Sequence, residues 1–346
     1  MKVSFLVPVY NTQKYLSECV DSLLLQKGAN FEIVLIDDGS TDGSGKICDR
    51  YAKEHPDLVR VIHKENEGLL LTRRRGFKEA KGEWFICVDS DDYVSPELLS
   101  TVVSMIHENN CDMVMYNFDY VDDMGNHLPS RLRIPDQAVF EGETKYEIYK
   151  MRLHTVDVNS MWMRAMRRDI VDINVDYSLC GIRNMCEDAV QMLSLYTNAK
   201  RIVYIDEKLY HYRKASGSIT STVTWENWRA INRCAQVTEL YLDTWGILED
   251  DRKKFYTLQM QSLCNCIRWI MCSDRSNKEK KKLLYELSTD PLVGRCMKFY
   301  NEMYCSTFYM RLSCPIVYYL FINKKYTALF LFFRVENLLR GKKSEN

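Results

Sequence analysis

Apolar runs and helix-period segments alternate through the first hundred residues. VSFLVPV (3–9), FEIVLID (31–37), LVRVIH (58–63) and EWFICVD (83–89) are near-continuous apolar stretches, the pattern of strands buried on both faces. After the first run, Tyr15, Leu16, Cys19, Val20, Leu23 and Leu24 fall on one helical face, and Thr12 stands where a cap would. Helices are expected near 44–54 and near 69–81, the second stopped by Gly82. A further helix is expected from Pro96, a residue suited to a first turn, through Met105. Strand–helix alternation with short links predicts an open, mostly parallel α/β sheet flanked by helices, with its ligand crevice at the carboxyl ends of the strands.

The pattern changes twice further on. From 111 to 220 it is less regular, with strands expected after Cys111, before a turn at Gly125, and over VYIDEKLYHYR (203–213). From Trp225 it is helical to the end, and PIVYYLFI (315–322) and ALFLFF (328–333) are separated by Asn323, Lys324 and Lys325. Two parts are expected, 1–220 and a mainly helical 221–346.

Composition narrows the class. The 346 residues carry 47 Lys plus Arg against 47 Asp plus Glu, a balance that excludes a general field for nucleic acid. The 13 cysteines include no Cys-x-x-Cys pair, and several lie in apolar runs, which points to a reducing compartment. The start, MKVSFLVPVYN, turns polar too soon for a signal peptide, and no apolar run reaches the ~18 residues of a membrane span. A cytoplasmic protein is expected.

Candidate chemistry collects at the strand ends: Tyr10 and Asn11 after the first, Asp37 and Asp38 after the second, and Asp89, Ser90, Asp91 and Asp92 after the fourth. Carboxylates there can hold a hard cation, Mn²⁺ or Mg²⁺, on a diphosphate. The plainer alternative is a turn in which Asp92 or Ser95 caps the Pro96 helix. DDGSTDGSGK (37–46) fails as a phosphate-binding P-loop, because Ser40 replaces a required glycine and Ile47 follows the lysine. It also fails as a dinucleotide turn. Arg73, Arg74 and Arg75 are either solvated surface charge or forked donors at the rim. Glu187 and Asp188 precede a helical run and suit either the helix dipole or a general base. His211 is either structural or a ligand.

Taken in order, VPVYN, DDGSTD, NEG with Arg73, DSDDYVSP, MWMRAMRRDIV, Glu187-Asp188, and Tyr212-Arg213 before SGSIT closely resemble the family 2 glycosyltransferases over residues 1–220. The resemblance implies a GT-A domain that moves a sugar, with inversion, from a nucleotide-diphospho-sugar, a UDP-sugar by family expectation, to an acceptor hydroxyl. It implies that Pro8, Val9, Tyr10 and Asp38 line the base pocket with Arg73 beside it, and that Asp89 and Ser90 approach the ribose. It implies Asp91, with Asp92 and His211, as ligands of Mn²⁺ or Mg²⁺, and Asp188 as the catalytic base. The expected acceptor is a glycan or a lipid-linked glycan, as in bacterial surface polysaccharide or glycolipid synthesis. Residues 300–346 then read as either a helical cap or a peripheral contact with the inner membrane face. Two other functions remain: a sugar-1-phosphate nucleotidyltransferase, which needs a Gly-rich basic loop where Tyr10-Asn11-Thr12-Gln13 stands, and a non-catalytic nucleotide-sugar-binding protein, which need not keep these acids.

Overall fold

A computed structural model of the chain describes residues 1–122, 124–130, 132–155, 158–177, 180–214, 224–302 and 308–341. The chain divides into two compact units, Met1–Ile219 and Thr220–Asn346.

The first unit is a ten-stranded mixed sheet with helices. In chain order its elements are β1 (Lys2–Val9), α1 (Leu16–Leu24), β2 (Asn30–Asp37), α2 (Ser44–Glu54), β3 (Val59–His63), α3 (Leu69–Glu79), β4 (Trp84–Cys87), β5 (Tyr93–Val94), α4 (Leu98–Asn109), β6 (Met113–Val121), β7 (His127–Pro129), β8 (Val139–Glu141), α5 (Lys145–His154), β9 (Arg164–Arg167), α6 (Glu187–Asn198) and β10 (Arg201–Arg213). The strand order is β3-β2-β1-β4-β9-β6-β10-β5, with β7 on β6 and β8 on β10. β1 to β4, β6 and β10 run one way, and the short β5, β7, β8 and β9 run against them.

The apolar runs of the sequence became strands because they are covered on both sides. Phe5, Leu6, Val7, Ile33, Val34, Leu35, Phe85 and Ile86 are wholly buried. Each such side chain contributes about 1.5–3 kcal/mol of burial. The chain steps outward from β1 to β2 to β3, then returns through α3 to place β4 on the other side of β1. That reversal opens a crevice beyond the ends of β1 and β4, the place where open α/β sheets bind ligands. The tip after β4 and the tip after β1 are tied there by the Thr12 hydroxyl, which donates to Ser90 Oγ at 3.0 Å. Thr12 does not cap α1 with its side chain; its carbonyl accepts from Tyr15 and Leu16 instead. α4 begins at Leu98, two residues beyond Pro96, and no side chain caps it, so neither Asp92 nor Ser95 has that role.

The second unit is helical: α7 (Trp225–Leu242), α8 (Glu249–Cys272), α9 (Asn277–Ser288), α10 (Pro291–Cys296), α11 (Phe308–Ile322) and α12 (Tyr326–Gly341). Its starts are capped as the residues dictate. Thr224 accepts from Asn227, Ser276 and Glu279 form a reciprocal box, and Asp290 caps a helix with proline in its first turn. Among the described residues no helix is long and apolar enough to cross a membrane.

Candidate active site

The crevice is floored by one buried arginine. The three arginines of α3 point three ways, as a 100° step per residue requires. Arg75 is exposed and pairs with Glu79 at 3.0 Å. Arg74 packs over Phe77 and Tyr177 and donates to the Asp172 carbonyl. Arg73 is fully buried, and its guanidinium donates to Asp188, to Glu187 at 3.4 Å and to Asp89 at 2.6 Å. It therefore joins α3, the tip after β4 and the first turn of α6.

Three acids on one cation leave an excess of negative charge, and the carboxyls respond. Burial pushes Asp188 above the ordinary carboxylate range, and Arg73 only partly opposes it. Burial and the neighbouring Asp188 likewise push Glu187 up. The Asp188 carboxylate is aimed by the Arg73 guanidinium on one oxygen and by the Met161 N–H on the other, at 3.1 Å. Cys186, with φ of +64°, turns the chain into α6 so that Glu187 and Asp188 sit at its positive end.

The three aspartates after β4 separate sharply. Asp89 is bound to Arg73, and its N–H donates to the Tyr210 hydroxyl at 3.1 Å. Asp92 is buried, and its two oxygens accept from the Tyr210 hydroxyl and the Arg213 N–H, both at 2.7 Å. Asp91 has its carbonyl held by Arg213 at 3.1 Å, and among the described residues no other residue donates to its carboxylate, which accepts from its own N–H. Burial and Asp89 push its pKa up from 3.8 to about 6.

The corner after β2 is built differently. Asp38 accepts from Lys64, the Glu67 N–H and the Gly68 N–H, the last two at 2.9 Å. It anchors the loop that starts α3. Gly68 has φ of +93°, and a Cβ there would meet Asn184 and Arg183 at about 3 Å, so a side chain cannot replace it. Asp37 accepts from the Ser40 N–H at 3.0 Å and meets His63 at 2.8 Å. Burial acts to raise it, but the Ser40 and His63 hydrogen bonds outweigh burial and hold it below its ordinary value.

Residues 4–173 match the family model described as glycosyl transferase family 2. Glycosyltransferase GlyG of Streptococcus pneumoniae is 34% identical over 232 residues, 64% of this chain and 73% of that protein. The chain belongs to the family 2 glycosyltransferases. Poly(ribitol-phosphate) beta-N-acetylglucosaminyltransferase TarS of Staphylococcus aureus is 29% identical over 215 residues, 61% of this chain but 35% of its own length. The crystal structure of S. aureus TarS 1–349 in complex with UDP superposes with a TM-score of 0.60 at 21% identity, covering 88% of this chain and 83% of that one. The fold is the GT-A fold of this family, with a helical C-terminal region.

In this family 2 transferase the residues expected from the sequence divide between two places. Asp89, Ser90, Asp91, Asp188 and Arg73 meet at the β1/β4 crevice, with Tyr10 exposed on its rim after Pro8 and Val9. His211 does not join them: its ring meets Asp119 at 2.7 Å and Ser95 at 2.9 Å. The Ser/Gly loop 216–220 lies outside the described residues. Tyr210, Lys64 and the Met161 N–H went unrecognised in the sequence. Only Tyr210 carried a signal, since alternation along β10 turns Tyr210 and Tyr212 to one face, both against Trp162, and His211 and Arg213 to the other.

Proposed function

We propose that this enzyme is an inverting, metal-dependent glycosyltransferase acting on a UDP-sugar. One observation carries the reading: an aimed carboxylate, Asp188, stands beside acids that outnumber their cation and include Asp91, to whose carboxylate no other described residue donates. A cation between a nucleoside diphosphate and so acidic a rim relieves the repulsion between them. Asp91 offers the hard oxygen donor that Mn²⁺ or Mg²⁺ prefers, half-buried and with its carboxylate taken by no other described residue, so the site fits the ion. Such a cation neutralises charge on the departing diphosphate.

The chain's own residues supply the rest. Pro8, Val9, Tyr10 and Asp38 wall the base pocket, Asp38 by fixing the 64–68 loop, and Asp89 and Ser90 face the ribose. Asp188 accepts the proton of an acceptor hydroxyl as that oxygen attacks the anomeric carbon and the sugar–diphosphate bond breaks on the opposite side. Arg73 and Asp92 are positioning residues: Arg73 orients Asp188 and Asp89, and Asp92 orients Tyr210 and Arg213. The names of the relatives support a bacterial surface glycan or glycolipid as the product. UDP-sugars incubated with Mn²⁺ should release UDP in the presence of the full chain. Release that is absent with every UDP-sugar, or indifferent to Mn²⁺ removal, would contradict the reading.

A cytoplasmic enzyme resting on the inner membrane face suits a lipid-linked acceptor. Ile316, Tyr319 and Ile322 on α11, and Leu331 and Val335 on α12, are exposed beside Lys324, Lys325 and Arg334. A chain ending at residue 312 should lose the cosedimentation with anionic vesicles that the full chain shows; equal cosedimentation would remove the tail from this role.

A further inference from the structure

His211 was expected on the donor's metal, and its actual surroundings suggest another site. At the far end of β6 the strand lies between β7 and β10. It presents Asp119 between two histidines, His127 of β7 and His211 of β10. Nδ1 of each ring lies 2.7 Å from a different oxygen of the same carboxylate. The three donor atoms all lie within 4.8 Å of one another. We propose that Asp119, His127 and His211 form a binding site for an imidazole-preferring divalent cation of the Zn²⁺ class, separate from the Asp91 position.

Ligand chemistry selects the ion. Two imidazole nitrogens and one carboxylate oxygen are a donor set for Zn²⁺ or Co²⁺, whereas Mg²⁺ keeps its waters and seeks oxygen. Tetrahedral bonds of roughly 2.0–2.2 Å put donors roughly 3.3 Å apart, within the spread already present. The ring carrying His127 is half exposed, which leaves a fourth position open to water.

The surrounding hydroxyls complete the argument. Without a cation, each Nδ1 stands at hydrogen-bond distance from Asp119. With a cation on Nδ1, each neutral ring carries its single proton on Nε2. Those Nε2 atoms have partners waiting: Ser95 Oγ at 2.9 Å from His211, and the Tyr93 hydroxyl at 3.4 Å from His127. Hydrogen bonds of this kind orient the histidines of metal sites. Bound, the cation would clamp the β7 edge to β10, without drawing on the residues assigned to transfer.

The test uses the full-length chain stripped of metal and titrated with Co²⁺, whose visible spectrum reports tetrahedral nitrogen–oxygen coordination. One equivalent should develop the spectrum and Zn²⁺ should bleach it. His127→Gln, at an exposed ring that the fold does not need, should weaken Co²⁺ binding at least ~10-fold. Asp91→Asn should leave the spectrum intact. Zn²⁺ should also raise the melting temperature of the wild-type chain and not of His127→Gln. No spectrum in the wild-type chain, undiminished binding by His127→Gln, or loss of the spectrum in Asp91→Asn would each overturn the assignment.

Discussion

Two acidic corners face the same crevice and are built on opposite principles. After β2, Asp37 and Asp38 are matched by Lys64, His63 and backbone N–H groups, and the buried Asp37 lies below its ordinary pKa. Around the β4 tip, Asp89 and the α6 acids Glu187 and Asp188 share Arg73, with only the Met161 N–H added on Asp188; no other residue donates to the Asp91 carboxylate among the described residues, and Glu187, Asp188 and Asp91 all lie above theirs. Acids at neighbouring element ends thus become architecture where donors match them, as at Asp37, Asp38 and Asp92, and candidates for chemistry where donors do not.

The largest separation should come from turnover. Asp188→Asn keeps the shape and the Arg73 contact but cannot take a proton, so UDP release from a UDP-sugar should fall by ~10²–10⁴, the usual worth of a general base. A rate within threefold of wild type would remove Asp188 from that role.

Arg73→Met should come next, because it strands three acids around an empty centre. Loss of one partner from a buried ionic group costs about 3–5 kcal/mol, readable as a lowered urea midpoint. Arg73→Lys should recover part of the stability but little activity, since an ammonium cannot fork to Asp188 and Asp89 together. Full activity in the lysine variant would show that the fork does not aim the base. Asp37→Asn should cost less, about 1–3 kcal/mol, by weakening the charged bonds to Ser40 and His63.

Asp91→Asn should go the other way. The folded pKa of Asp91, about 6, exceeds its ordinary 3.8, so the folded state binds its proton more tightly than the unfolded chain does. Stability from this group is therefore present at low pH and is lost as pH rises through about 6. The asparagine variant, carrying no charge, should be more stable than wild type at neutral pH by about 1–2 kcal/mol, discounted for partial solvation. The gain should vanish near pH 4. A variant that is less stable at neutral pH would mean that the Asp91 charge is compensated after all.

The sequence makes one side of this comparison legible and hides the other. β1, β2 and β4 are readable because strands covered on both faces are near-continuously apolar, and the polar tips follow at once. β9 reads poorly: its Arg164 is a buried residue bonded to the Val158 carbonyl and the Tyr196 hydroxyl, which polarity alone argues against. The division of Asp89, Asp91 and Asp92 is not readable at all. It depends on Tyr210 and Arg213, 118 and 121 positions from Asp92, and on Asp188, 115 positions from Arg73. Three neighbouring aspartates look alike until distant donors take some and leave others.

The contrast between the corners is tested most directly by calorimetry of UDP binding, with and without Mn²⁺, in the wild-type chain, Asp91→Asn and Asp37→Asn. Wild type should bind UDP only with Mn²⁺, and more weakly as pH falls below about 6, where Asp91 takes up a proton. Asp37→Asn, folded though less stable, should bind as wild type does, and Asp91→Asn should lose the Mn²⁺-dependent binding. Equal Mn²⁺-dependent affinity in Asp91→Asn and wild type would contradict the account.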